Sequence, residues 1–227
     1  MRGLCRLLAV AASCALFSPP LALSPVLAKA APAADVTLTR LDCGLIRAND
    51  ASSFSDTHGY DGQKLDLPVN CYLIRHGDAY LLWDAGLSAA GLGAAMSDKA
   101  PITSTVARTL IDQIKQLGID PAKVTRVAVS HYHLDHVGQA NAFPNATLII
   151  GAADWTLVEG GSPPPPADLP ALAPWLKQGG KVQTVAHDLD IFGDGSVVMF
   201  DTRGHSPGHK SLLVRLPKTG PVLLTGD

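Results

Sequence analysis

The chain has 227 residues, 47% of them hydrophobic and 17% charged, with a net charge of −2, 21 Gly and 17 Pro. That length holds one sizeable core, or at most two small ones. The apolar content excludes a disordered chain. Frequent Gly and Pro with a lone Glu, Glu159, exclude a coiled coil, and the absence of a basic cluster argues against a nucleic-acid binder.

The first segment reads as a secretory signal peptide, residues 1–30. Arg2 and Arg6 give a positive start, and Leu4 to Phe17 is almost wholly apolar. Pro19, Pro20 and Pro25 break any helix, and Ala28-Lys29-Ala30 fits a small-x-small cleavage rule. The alternative is a membrane anchor, but the apolar run is shorter than the ~20 residues a spanning helix needs. A lipoprotein at Cys14 is weaker still, because Ala11 is a poor residue three places before it. The expectation is a periplasmic or secreted protein, free of the membrane once the signal is removed. Losing residues 1–30 takes three of 18 basic residues and none of 20 acidic ones, so the remainder carries −5. A mildly acidic body does not point to a polyanionic partner.

Cys5 and Cys14 leave with the signal, and Cys43 and Cys71 remain. Both fall in or beside apparent strands, and export would permit them to pair. The preferred expectation is two small buried thiols.

The next segments alternate between strand and helix patterns. Val36 to Leu41 alternates apolar and polar, as a strand does. Residues 47–68 read as a long polar loop. Cys71 to Ile74 and Ala79 to Trp83 form a hairpin, ended by Asp84-Ala85-Gly86. Thr103 to Leu117 has helical spacing, and Gly118 supplies its stop. Val124 to Val129 reads as a buried strand, Leu134 to Ala142 as a short helix, and Ala146 to Ile150 as a strand. Four prolines at 163–166 favour a stiff extended segment, followed by a short helix from Asp168 to Leu176. Strands follow at 181–186, 196–201, 210–216 and 221–225. The alternation implies an α/β layered fold with helices on both faces of the sheet material.

The chemistry is concentrated just after the strand Val124–Val129. Ser130-His131-Tyr132-His133-Leu134-Asp135-His136 puts three imidazoles and a carboxylate within six residues. In an extended segment positions 131 and 133 point the same way. The chain then turns into a helix whose first turn carries Asp135 and His136. Two histidines awaiting one more nitrogen suit Zn²⁺, and an Asp–His pair suits a second ion. The alternative is a solvated polar loop, but three of the eight histidines fall here. Distant partners are available in Gly204-His205-Ser206-Pro207-Gly208-His209, a tight turn between two strands, and in Asp227 beyond Val222–Leu224. Ligands at strand ends converge at one edge of a sheet.

The His-x-His-x-Asp-His run at 131–136, the turn at 204–209, Gly226-Asp227 and Asp84-Ala85-Gly86 together resemble the metallo-β-lactamase fold superfamily. The resemblance covers roughly residues 35–227 and implies an αββα sandwich. Leu41-Asp42-Cys43-Gly44, Tyr72-Leu73-Ile74-Arg75 and His205 to Ser211 look most like its N-acyl homoserine lactonase group. The resemblance implies a hydrolase domain over 31–227 with two Zn²⁺, iron or manganese being alternatives. It assigns His131, His133 and His205 to the first metal and Asp135 and His136 to the second, with Asp227 bridging. It makes Asp84 a structural residue and His209 a packing or hydrogen-bonding residue of its turn. His58, His76 and His187 match no motif and are expected at the surface.

The family supplies a further second-metal histidine, and final strands and a helix, beyond the bridging Asp. These have no match here, so a C-terminally truncated chain with an incomplete second site is expected. The implied reaction is hydrolysis of a small-molecule lactone or ester. A hydroxide shared by two zinc ions attacks the carbonyl carbon, and Asp135 serves as ligand and proton shuttle. Phe54, Tyr60, Trp155, Trp175 and the proline run are candidates to grip an acyl chain, or else to pin loops to the body. The rivals are a periplasmic β-lactamase, another ester, thioester or phosphodiester hydrolase of the fold, and a zinc module without catalysis.

Overall fold

Runs of apolar residues whose successive side chains go to opposite sides dominate the interior. The computed structural model describes residues 35–227, so the expected signal peptide at 1–30, with Cys5 and Cys14, lies outside the described residues. Strand β1 (Val36–Ala48) pairs antiparallel with β2 (Leu65–His76), which pairs with β3 (Ala79–Trp83). β4 (Ile102–Thr105) adds to the other side of β1 and leads to helix α1 (Leu110–Gln116). β5 (Val124–Ala128) lies parallel to β3 and is followed by α2 (Leu134–Val137). β6 (Thr147–Gly151), α3 (Ala152–Glu159), α4 (Ala173–Lys177) and β7 (Val182–Val185) extend the parallel part. β8 (Leu189–Asp190), β9 (Val197–Asp201), β10 (Lys210–Leu216) and β11 (Gly220–Leu224) form a second, antiparallel sheet. The strand orders are β4-β1-β2-β3-β5-β6-β7 and β11-β10-β9-β8.

The period-two alternation of a strand divides the large sheet between two cores. Leu73, Leu82, Val127, Leu148 and Ile150 face the helices, packing with Leu110, Ile114, Val137, Val158 and Trp175. Their neighbours Ile74, Leu81, Trp83, Ala128 and Ile149 face the small sheet, packing with Val197, Met199, Leu212 and Val214. Burial on both faces explains why these strands read as continuous apolar runs. The sandwich is that of the expected fold. Among the described residues, however, α1 to α4 all pack on one face of the large sheet, which corrects the expectation of helices on both.

Several boundaries differ from the sequence reading, each for a local reason. The expected helix over Thr103–Leu117 is split. Ile102–Thr105, rich in β-branched residues, pairs with Leu45–Ala48, and the helix starts only at its cap. There Thr109 Oγ1 accepts the Asp112 N–H at 3.1 Å. The long loop shrinks to 49–64, because β1 and β2 both run into it. Pro68 is tolerated inside β2 because β3 reaches only Tyr72–His76, leaving Pro68 with β1 alone as neighbour. Helix α3 and the short β8 were not expected, and the expected helix 134–142 is α2 followed by a separate 3-10 turn.

Cys43 and Cys71 form a disulfide, correcting the expectation of free thiols. A β-bulge makes Cys43 the extra residue between Asp42, opposite Asn70, and Gly44, opposite Val69. It brings Cys43 to a Cα separation of 5.8 Å from Cys71. His76, expected at the surface, stacks on Phe192 at 4.1 Å between ring centroids and meets Asp194 at 2.8 Å. His58 and His187 are exposed as expected.

Candidate metal centre

Strand β5 delivers the histidine loop to the carboxyl edge of the large sheet. Asp84, one residue past β3, fixes its start. Asp84 Oδ1 accepts the Ser130 N–H at 2.7 Å, and Asp84 Oδ2 accepts the Ser130 hydroxyl at 3.1 Å. Ser130 thereby has no proton left for its other neighbours. The Nδ1 atoms of His131 and His136 each lie 3.0 Å from Ser130 Oγ, and His136 Nδ1 lies 3.0 Å from Asp84 Oδ2. Both imidazoles therefore carry hydrogen on Nδ1 and face the site through Nε2, the atom that can coordinate once it holds no proton. The structural role implied for Asp84 has this geometry.

Two donor groups result. His131 Nε2 and His205 Nε2 each lie 3.0 Å from His133 Nδ1, so three nitrogens from two segments face one another. Ligand nitrogens around a tetrahedral Zn²⁺ stand about 3.3 Å apart, given bonds of about 2.0–2.1 Å. The second group is His131, His136 and Asp227. Asp227 Oδ1 lies 3.2 Å from His136 Nε2, while its Oδ2 lies 3.5 Å from His205 Nε2. One carboxylate thus addresses both groups. Asp135 Oδ2 reaches His136 Nε2 at 3.5 Å. All six sequence-predicted ligands, His131, His133, Asp135, His136, His205 and Asp227, meet at this edge.

The electrostatics demand positive charge. Burial lowers the pKa of His131, reinforced by the neighbouring His136 and His133, so its imidazole stays neutral. Burial and His205 lower His133. At His136 burial also opposes charge, but Asp84, Asp135 and Asp227 overcome it and hold the imidazolium up to about 12. Hydrogen bonding from His136 holds the Asp227 carboxyl well below the usual range, against the opposing effect of burial. Three carboxylates around His136, beside the facing nitrogens of His131, His133 and His205, are a donor set that fits divalent cations.

Two buried side chains support His205 and Asp227: Asp154, which the sequence does not single out, and His209, expected to pack or hydrogen-bond in its turn. Asp154, fully buried in the first turn of α3, accepts the Ser206 hydroxyl and the Gly208 N–H, each at 2.7 Å. It thereby clamps the turn that carries His205. His209 Nδ1–H donates to the Thr202 carbonyl at 3.0 Å, and its Nε2 accepts the Asp227 N–H at 3.3 Å. Gly226, at φ +71°, leaves room for this: a Cβ there would lie 2.5 Å from His209 Nε2.

A cleft of about 820 Å³ opens onto both groups, walled by Ile46, Phe54, Leu67, Ile102, Leu134 and Pro166. Phe54 and, from the proline run, Pro166 line it, which is one of the two placements expected for them. Trp155 and Trp175 do not: they line a separate hollow of about 450 Å³, and Trp175 Nε1–H donates to the Ala146 carbonyl at 2.9 Å. The tryptophans pin the loop to the body. Tyr60 is exposed and lies outside both hollows.

A family model, the Metallo-beta-lactamase superfamily, matches residues 65–227. The chain belongs to the metallo-beta-lactamase superfamily. Among its relatives, the N-acyl homoserine lactonase AttM of Rhizobium johnstonii is 36% identical over 181 residues, covering 74% of this chain and 67% of the relative. An N-acyl homoserine lactonase of Bacillus sp is 29% identical over 180 residues, covering 73% of this chain and 66% of the relative. An N-acyl homoserine lactone hydrolase, solved with N-hexanoyl-L-homoserine at its catalytic metal center, shares the fold at a TM-score of 0.70 and 23% identity, over 86% of this chain and 76% of that one. The dizinc lactonase AidC shares it at a TM-score of 0.59 and 18% identity, over 85% of this chain and 71% of that one. Membership makes this protein a metal-dependent hydrolase of the superfamily.

Proposed function

We propose that this superfamily member opens the ring of N-acyl homoserine lactones, with two zinc ions held by His131, His133 and His205 on one side and Asp135 and His136 on the other. The observation that carries the two-cation reading is Asp227, whose two oxygens address the two donor groups separately. The lactone reading is supported by the 36% identity to AttM and by a metal cleft with apolar walls, which suits an acyl chain.

When bound, two divalent cations bring the pKa of water toward neutrality and polarise the carbonyl oxygen. The protein's own contribution begins with orientation. Ser130 and Asp84 fix the tautomers of His131 and His136. Phe54, Leu67 and Ile102 hold the acyl chain and exclude water from one side of the cleft. Asp135 Oδ2, beside His136 Nε2, takes the proton of the attacking water as its oxygen bonds to the carbonyl carbon. As the ring C–O bond breaks, Asp135 returns that proton to the departing ring oxygen, leaving an open-chain hydroxy acid.

Export to an oxidising compartment accompanies this reading. It is supported by the apolar run and small-x-small site within residues 1–30 and by the buried Cys43–Cys71 bridge. The test is a zinc-loaded preparation offered N-acyl homoserine lactones and a cephalosporin side by side. Lactone opening with little cephalosporin turnover is expected, and the reverse preference would assign the site to the β-lactam branch instead.

A further inference from the structure

The Cys43–Cys71 bridge touches neither donor group, and the reaction above makes no use of it. Its surroundings give it a task. Cys43 and Cys71 are both fully buried in the helix-side core. The Leu87 N–H donates to the Cys43 carbonyl at 3.1 Å. A Cβ on Gly86 would lie 2.4 Å from Cys43 Cβ and 2.8 Å from its carbonyl oxygen. The turn 84–87 therefore rests directly on the bridged residue, with no space between, and at φ +62° only glycine suits the contact.

From that turn, backbone hydrogen bonds run to the segment that carries the second donor group. Ala85 N–H donates to the His136 carbonyl at 2.7 Å, Gly138 N–H to the Gly86 carbonyl at 2.7 Å, and Gln139 N–H to the Ala85 carbonyl at 3.0 Å. Asp84, in the same turn, meets His136 Nδ1 at 3.0 Å. The first donor group is suspended differently. His205 is held by the turn that Asp154 clamps, and only His131 among the group's ligands has a tie to the turn 84–87, through Ser130 and Asp84.

We propose that the Cys43–Cys71 disulfide is a positioning staple for the second-metal group. It sets the depth of the turn 84–87 and, through Ala85 and Gly86, the placement of His136 and Asp135. Without the bond the side chains at 43 and 71 repack, and a close-packed core passes that change on to Gly86. This inference rests on the two-cation reading above.

Metal-stripped wild type and the Cys43→Ala/Cys71→Ala variant, titrated with Zn²⁺ against a chromophoric chelator, separate the two ideas. Two sites are expected in wild type. In the variant, affinity at the weaker site, assigned to the second group because it has fewer nitrogen ligands, should fall by about 10–100-fold, the usual effect of losing an outer support of a ligand, with the tighter site changed far less. Equal weakening of both sites, the result of general loosening, overturns the proposal, as does no change at either. A single site in wild type overturns the two-cation reading and the staple with it. If the double variant does not fold, the same titration of wild type with and without a strong reductant, thiols counted in parallel, reads the same ratio.

Discussion

His209 Nε2 accepts the backbone N–H of Asp227 at 3.3 Å, so a buried imidazole stands directly behind the carboxylate that addresses both donor groups. Burial lowers the pKa of His209, which keeps it neutral and preserves the lone pair the contact needs. Its Nδ1–H is committed to the Thr202 carbonyl. His209→Ala removes the acceptor and leaves the Thr202 side of the pair unmet. Metal retention and turnover should each fall by about 10–100-fold. Metal content after gel filtration, set beside the initial rate, checks this. A variant that keeps its metal and its rate would reduce His209 to a packing residue of its turn.

Asp135 is asked to do more than ligate. Its Oδ2 lies 3.5 Å from His136 Nε2, at the rim of the cleft. Asp135→Asn preserves shape and much of the ligating capacity but cannot accept a proton as a carboxylate does. Turnover should drop by about 10²–10⁴-fold, and metal content by far less. Parallel measurement of both decides it, because equal losses would leave Asp135 a ligand alone.

The donor set was legible because most of it is local. His131, His133, Asp135 and His136 share one loop, and the strand before them announces itself by its apolar run. His205 lies in a compact turn of glycines and proline. Asp154 was not legible, because its partners Ser206 and Gly208 are more than fifty residues away and a single Asp near a helix start looks like a solvated charge. The disulfide was obscured by the bulge at Cys43, which regular strand alternation does not anticipate. The true start of α1 was hidden because Ile102–Thr105 takes its partner from β1, far back in the chain.

Asp154 yields a test at the first donor group. Burial raises its pKa, while the Ser206 hydroxyl and Gly208 N–H hold it down. Asp154→Ala takes the acceptor from both at once, in a fully buried place. Hydrogen bonds to a charged group contribute ~1.5–3 kcal/mol each, so a stability loss of that order is expected. Affinity at the tighter metal site should fall with it, since the turn bearing His205 is released. Urea unfolding with and without Zn²⁺ reads both effects: a smaller stabilisation by metal than in wild type is the expected result.

Lys210 provides the pH test, away from the metals. Its side chain is 1% exposed, and its ammonium donates to Asp201 Oδ1 at 2.8 Å, while Arg203 pairs with the other oxygen. Hydrogen bonds from Arg203 and Lys210 hold the Asp201 carboxyl down to about 2, against burial. A carboxyl whose pKa is depressed on folding stabilises the native state above its unfolded value of 3.8. That contribution is lost as the pH falls from about 4 toward 2. At neutral pH, Asp201→Asn strands a buried cation and should cost ~3–5 kcal/mol. As the pH drops through the same window, wild type loses the pair while the variant has none to lose, so the gap between them should narrow. Urea midpoints of both proteins at pH 5 and pH 2.5, with chelator present to silence the metal ligands, measure that gap. A gap of equal size at both values would mean that Asp201 does not titrate against Lys210.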